Sequence, residues 1–415
     1  MQFSGKAADI CCSQTVIFRS VSVKIMEPVF WISLILLFYT YLGYGLIIFL
    51  LNNIRVLFSG TIKTLQTEKL PVTLIITAYN EASLLPQKIS NTLAIDYPAD
   101  KLTILFVTDG SSDSSAELIK NFPSIQLMHL PERRGKYAAV KRAMQMVKTP
   151  IVIFSDANTM LNPECINCIV SHFADPDVGG VAGEKKIMRN NFASAVGEAE
   201  GLYWQYESFM KRQDAELYTV VGAAGELFSI RSSLFNAIDE NIILDDFVIS
   251  MQVCLQGYKI RYEPDAFATE LPSASLKEEE KRKVRISAGA YQSLRYLKGI
   301  MNLFRHPLLS FQFVSRRFLR WVVCPILLLT LIVSNSWLVL LGAGNGLYEA
   351  LLLGQVLFYL FALFGWLFVR SGKRAGLFTI PFYFVFMNYC LVKGFMRHIS
   401  GKQSVLWEKS VRQMT

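Results

Sequence analysis

Four short apolar runs in the middle of the chain each give way to polar residues of the kinds that do chemistry. Residues 72–77 lead into Ala78-Tyr79-Asn80-Glu81, and residues 102–107 into Thr108-Asp109-Gly110-Ser111-Ser112-Asp113. Residues 125–130 lead to Glu132-Arg133-Arg134-Gly135-Lys136, and residues 151–154 to Ser155-Asp156-Ala157-Asn158. Helix capping or an Asp-Gly turn explains any one of these sets. Four in succession, bearing carboxylates, amides and a Gly-Lys pair, point to a site for a polar ligand. Further on, Asp245-Asp246 lies among Ile242, Ile243, Leu244, Phe247 and Val248. Desolvation in such surroundings raises a carboxylate's pKa and makes it a better base for a hydroxyl. A helix N-cap accounts for one of these two acids and leaves the other unexplained.

The elements that must position these residues are legible in outline. The apolar runs alternate with helical patterns, over 114–121 and 136–147, which predicts a parallel sheet with crossover helices. In such sheets ligands bind beyond the carboxyl ends of the strands, where the polar sets stand. Asn80 is expected to cap the helix after the first strand, with Glu81 in its first turn.

Tyr79-Asn80-Glu81, Asp109-Gly110-Ser111-Ser112-Asp113, Gly135-Lys136, Asp156-Ala157-Asn158, the Gly222-Ala223-Ala224-Gly225 turn and Asp245-Asp246-Phe247 come in a specific order and spacing. In that order the chain resembles membrane-bound members of glycosyltransferase family 2, the GT-A fold group that includes cellulose, chitin and hyaluronan synthases. The resemblance covers roughly residues 70 to 300. It implies an α/β GT-A nucleotide-sugar-binding domain with a mostly parallel sheet, and an inverting glycosyltransferase. By the same resemblance Asp109 contacts the donor's base or ribose, with Tyr79, Glu81 and Lys136 in one pocket, and Asp246 is the general base. Asp156-x-Asn158 stands at the family's D-x-D position, which holds Mg²⁺ or Mn²⁺ against the diphosphate. Asn158 brings no charge, so a weaker metal site is expected, centred on Asp156. Gly225, Glu226, Asp245 and Arg231 are assigned to the acceptor side. The processive synthases also carry Q-x-x-R-W. The corresponding stretch here, Arg282-Lys283-Val284-Arg285-Ile286, keeps Arg285 as a diphosphate clamp but lacks the Gln and the Trp. Single-sugar transfer is therefore expected over processive synthesis, with a UDP-linked donor and a lipid-linked saccharide or envelope polysaccharide as acceptor.

Composition sets the surroundings of this domain. With 52% hydrophobic and 18% charged residues and a mean hydropathy of +0.33, the 415-residue chain is neither disordered nor an ordinary soluble enzyme. The surplus lies in blocks 30–51, 321–341, 350–369 and 375–392, the last interrupted by Pro381. A bilayer core needs about 20 apolar residues at helical rise. The expected organisation is an N-terminal segment 1–27, a span over 28–52, the catalytic domain over 60–286, interfacial amphipathic helices over 287–320, about three spans over 321–396 and a basic tail over 397–415. Tyr291, Leu294, Leu297, Met301 and Phe304 mark the amphipathic stretch, and Trp407 is expected to return to the interface.

Basic residues flank the blocks. Arg55, Lys63 and Lys69 follow the first, Arg316, Arg317 and Arg320 precede the second, and Arg370, Lys373 and Arg374 separate the last two. The positive-inside rule then places the catalytic domain in the cytoplasm of a multi-pass protein of the plasma (inner) membrane. Lys393, Arg397, Lys402, Lys409 and Arg412 disagree, since a fourth full crossing puts them outside; either the fourth block is re-entrant or the rule fails there, and the full crossing is expected. The net charge of +9 is explained by these flanks and their anionic headgroups, which removes nucleic acid as a partner. No Asp, Glu, Lys, Arg or His falls inside the blocks, Glu349 standing just at the edge of one, which argues against a transporter. Seven scattered cysteines make no disulfide framework, and Cys165-x-x-Cys168 reads as part of a helix starting near Pro163.

Overall fold

Each apolar run forms a strand because β-branched and aromatic residues stack well in a sheet covered on both faces. The computed structural model describes residues 3–58, 68–188, 195–401 and 403–406. One eight-stranded sheet holds β1 (Val72–Ala78), β2 (Leu102–Asp109), β3 (Gln126–Leu130), β4 (Ile151–Asp156), β5 (Met160–Leu161), β6 (Val178–Ile187), β7 (Phe228–Arg231) and β8 (Lys259–Glu270), in the order β3-β2-β1-β4-β7-β6-β8-β5. The β3-β2-β1-β4 half is parallel throughout. β7 runs antiparallel to both β4 and β6, β5 antiparallel to β8, and β6 parallel to β8, so the sheet is mixed but mostly parallel.

Period-two alternation divides β1 between two cores. Ile75 faces one that includes Val140 and Phe247, while Leu74 and Ile76 face another built with Ile89 and Ile166. The first core is covered by the helices Lys136–Met144 and Asp245–Leu255, the second by Leu85–Leu93 and Cys165–Ser171. Both cysteines of the C-x-x-C pair lie on the last of these as free thiols.

Asn80 does not cap a helix. The next helix begins at Leu85, with a proline in its first turn, and Asn80 itself is left-handed at φ 53°. Its side chain is drawn away to the neighbouring loop, where its Oδ1 accepts from the Ser112 N–H at 2.8 Å.

Among the described residues, four helices are long and apolar enough to cross a membrane: Arg19–Arg55, Pro307–Leu340, Leu347–Arg370 and Gly376–Ile399. Neither sequence boundary at 27/28 nor that at 286/287 falls between elements. The helix Phe3–Phe38 continues through a π-helical turn at Tyr39–Gly43 into Tyr44–Phe58, and the helix Leu276–Tyr296 runs across the second boundary. Ser287, Ala288, Gly289, Ala290 and Ser293 of that helix are buried. A Cβ on Gly394 would lie 2.4 Å from the Ser287 Cβ, so the helix Thr379–Ile399 packs on it at backbone distance. The interfacial reading of residues 287–296 is thus replaced by a packed one. Small residues on both helices allow the approach, and that outweighs the amphipathic pattern. Pro381 sits in the first turn of Thr379–Ile399, where a missing N–H costs nothing.

Arg316 and Arg320, taken from the sequence as flanking charges, are buried against Glu207 of the helix Ala195–Leu217. Arg316 also reaches Asp214, which accepts from the Tyr44 hydroxyl at 2.6 Å. This network ties the first two spans to the sheet domain. Lys63, Lys402, Trp407, Lys409 and Arg412 lie outside the described residues.

Candidate active site

The motif loops at the parallel strand ends hold one another. Side chains of the β2 loop pin the backbone of the β1 loop: Asn80 N–H donates to Ser111 Oγ, Glu81 N–H to Ser115 Oγ and Ala82 N–H to Asp113 Oδ2. The Arg133 guanidinium lies 3.7 Å from the centre of the Tyr79 ring, an arginine-aromatic stack on the cavity wall. Asp109, expected to face the donor, is fully buried beneath the wall. Its Oδ2 accepts from the N–H groups of Arg134 and Gly135, and its Oδ1 from Arg142 at 2.9 Å. These bonds shape the turn that presents Lys136, and Gly135 takes φ 101° there.

Lys136 Nζ sits 2.6 Å from Asp156 Oδ1 and 4.0 Å from Asp245 Oδ1. Gly225 closes the group: a Cβ there would meet Lys136 Nζ at 2.8 Å, Asp246 Oδ2 at 3.1 Å and Asp156 Oδ2 at 3.5 Å. Any larger residue would fill the space between these groups. Gly222, at φ 92°, lets the same turn lie against the Phe247 ring. Burial pushes the Asp246 carboxyl up to about 7, and the neighbouring Asp245 charge adds to it while Lys136 opposes. Burial alone would lower the Lys136 amine, yet Asp156, Asp245 and Asp246 more than offset it and hold the amine above its usual range. Leu244, and not either acid, is the N-cap residue of the helix Asp245–Leu255, and Asp246 Oδ1 accepts from the Phe247 N–H.

These side chains line one cavity of about 1210 Å³. Of the residues singled out in the sequence, Tyr79, Glu81, Lys136, Asp156, Asn158, Gly225, Glu226, Asp245, Asp246 and Arg285 all line it. Arg285 is part-buried, its Nε without a hydrogen-bond partner among the described residues, and burial holds its pKa below the usual arginine range. Arg231 is elsewhere: its guanidinium donates to the carbonyls of Val178, Phe173 and Asp175. Glu226 pairs with Lys185, which drives its carboxyl down to about 2 against the opposing effect of burial. The sequence reading passed over Trp204 and Lys211, on the wall, and Tyr383, Met387 and Leu391 of the candidate membrane helix Gly376–Ile399, which also line the cavity. Their local sequence carries no motif that would have marked them.

Among the described residues no three His, Cys, Asp or Glu side chains are grouped to hold a metal ion. The oxygen donors present still suit Mg²⁺ or Mn²⁺, which commonly take one or two carboxylates and complete their shell with substrate phosphates. Asn158 Nδ2 donates to Glu270 at 3.0 Å, a bond that leaves its amide oxygen uncommitted. The Lys136 ammonium among three carboxylates shows that the spot favours a cation.

Residues 70–289 match the sequence profile described as glycosyltransferase like family 2, which is more than half of the chain. The chain belongs to that family. Among its relatives are the poly-beta-1,6-N-acetyl-D-glucosamine synthases of Staphylococcus aureus and Staphylococcus epidermidis. The first is 28% identical over 267 residues, covering 62% of this chain and 64% of the relative. The second is 25% identical over 231 residues, covering 54% and 55%. The family 2 chain thus spans less than two thirds of these relatives' length. Its fold is that of a mannosyltransferase from Pyrobaculum calidifontis, solved with GDP-Man and Mn²⁺, at a TM-score of 0.66 and 20% identity over 90% of this chain and 99% of that one. The family assignment agrees with the strand-end motifs, and the matched region ends just after Arg285.

Proposed function

We propose that this family 2 protein is an inverting glycosyltransferase that takes a UDP-linked sugar, of the N-acetylglucosamine class named for its relatives, and extends an acceptor presented at the membrane. The observation that carries this reading is the Asp246 carboxyl, poised at about 7 beside Lys136 and Asp156 in a cavity that Tyr41, Trp321 and Phe384 of the candidate membrane helices also line. A base is most effective when its pKa lies near the working pH.

In the reaction, the acceptor hydroxyl oxygen bonds to the anomeric carbon and its proton passes to Asp246. The bond from that carbon to the β-phosphate oxygen breaks, and the nucleoside diphosphate leaves with the electron pair. Lys136 and Arg285 face the departing charge. Asp156 and Asn158 would hold Mg²⁺ or Mn²⁺, which would neutralise part of that charge when bound. Tyr79, stacked by Arg133, and Glu81 line the donor end, while Gly225 and Asp245 border the acceptor end. Asp109 acts through the Gly135-Lys136 turn.

The apolar part of the wall, from Ile380, Phe384 and Leu391, suits a lipid-linked saccharide or a growing envelope polysaccharide. Lys69, Arg370, Lys373 and Arg374 support a cytoplasmic catalytic domain in the plasma membrane. A processive synthase is the second reading, favoured by the relatives' activity and opposed by Ile286 at the position of the missing Trp. The test is purified full-length protein offered a panel of nucleotide sugars with Mg²⁺ or Mn²⁺ and membrane extract. Nucleotide release with one donor, together with product length, supports the reading. No release with any donor removes it.

A further inference from the structure

The helix Ala195–Leu217 presents a second set of side chains to the same cavity, and the reaction above leaves them unused. Trp204 and Lys211, two turns apart, lie on one face of it. Lys211 is 3% exposed, and its Nζ has no hydrogen-bond acceptor among the described residues. Nor has the buried indole N–H of Trp204, whose ring centre is 5.5 Å from that amine. The carboxylates facing Lys211 are engaged elsewhere. Glu184 accepts from Ser208 and Tyr262, Glu226 from Lys185, and Glu207 from Arg316 and Arg320. Of the cations on the same side, Arg317 donates to the Val221 carbonyl, while Lys185 and Lys283 lie against the Trp204 ring. Native interiors seldom leave two neighbouring donors unmet, so the missing oxygen is one that a ligand brings.

The position says which ligand. The Trp204 ring lies 4.8 Å from Lys185 Nζ, Lys185 binds Glu226, and Glu226 follows Gly225, which borders Asp246. This wall is continuous with the base. Charge does not choose the ligand, since Glu184, Glu226 and Glu207 are set against Lys185, Lys283 and Arg317; two lone donors beside an indole ring suit a neutral, oxygen-rich ring. We propose that Trp204 and Lys211 form a subsite for the acceptor saccharide, donating to hydroxyl or amide-carbonyl oxygens of its sugar. The proposal rests on the transferase reading for its place in the reaction, though not for its chemistry.

Equilibrium binding of an N-acetylglucosamine oligomer to the full-length protein, without donor, tests it alongside initial-rate kinetics. Lys211→Met weakens oligomer binding and raises the acceptor KM by about tenfold, because a buried donor to the sugar is lost. The donor KM holds, and Lys211→Arg recovers most of the binding. Trp204→Phe, which keeps a ring and removes the N–H, moves acceptor binding in the same direction by less, and it carries the test if Lys211→Met does not fold. Unchanged oligomer binding in these variants overturns the proposal. So does an equal rise in both KM values, or displacement by inorganic pyrophosphate with no response to the oligomer. A wild-type protein that binds the oligomer through Lys211 but releases nucleotide from no donor refutes the transferase reading and leaves the subsite standing.

Discussion

Two clusters of buried charge border one cavity and are built on opposite terms. Around Glu207, cations match or exceed the acids: Arg316 and Arg320 meet its two oxygens at 2.7 and 2.6 Å, and Asp214 takes Arg316 and the Tyr44 hydroxyl. Around Lys136 three carboxylates face two cations: Asp156 and Asp245 lie within 4.0 Å of the ammonium, Asp246 stands across the Gly225 gap, and the Arg285 guanidinium feels all three. Burial opposes the Glu207 charge, but its arginines hold the carboxyl well below the usual range, while burial and Asp245 lift Asp246 to about 7. A matched cluster in a low dielectric fixes position. A cluster with surplus negative charge stays ready for a proton or an incoming cation.

The two should therefore break differently. Asp246→Asn is expected to lower transfer by about 10²- to 10⁴-fold while nucleotide binding persists, measured by initial rates and equilibrium binding. Substantial residual transfer would move the base elsewhere. Glu207→Gln should instead cost about 3–5 kcal/mol of stability, because it strands Arg316 and Arg320, and denaturant unfolding of the solubilised protein reads it. An unchanged midpoint would erase the distinction between the clusters.

Their pH dependence runs in opposite senses. The folded Asp246 binds its proton more tightly than the unfolded chain, so its contribution to stability is present at low pH and declines as pH rises from 3.8 through about 7. Glu207, depressed, contributes above its unfolded value and loses that contribution as pH falls toward its folded one. The rate should rise with pH as Asp246 ionises. Asp245→Asn should shift that acid limb downward by removing a repelling charge, and Lys136→Met upward by removing an attracting one. A pH–rate profile in which both variants move together would refute the coupling. The smallest effect sharpens the surplus itself. Asn158→Asp adds a carboxylate, and half-saturation by Mn²⁺ should fall roughly severalfold, measured by metal titration of activity.

Much of the sheet-side chemistry was legible because strand ends are where a parallel sheet exposes its ligand groups. Asp156 and Lys136 were found this way, Asp246 by the apolar residues around it, and all three reach the cavity. Asp109 carries the same signal but lies beneath the wall, since its oxygens close the neighbouring turn. The helix Ala195–Leu217 gave no such signal. Glu200, Trp204, Glu207, Lys211 and Asp214 recur at helical spacing, which by itself describes a solvated face. The residues that bury that face, Arg316, Arg320 and Tyr44, are distant in sequence and look like membrane flanks or span.

Local order therefore determined what local order can encode: apolar runs long enough to cross a bilayer, alternation that makes a parallel half-sheet, and motif residues at its strand ends. Which charges would be matched and which left in surplus was decided only by folding, because a carboxylate's pKa depends on burial and on partners that sequence distance does not reveal. The same basic residues that suggest topology become, once packed on Glu207, the joint between membrane and active site.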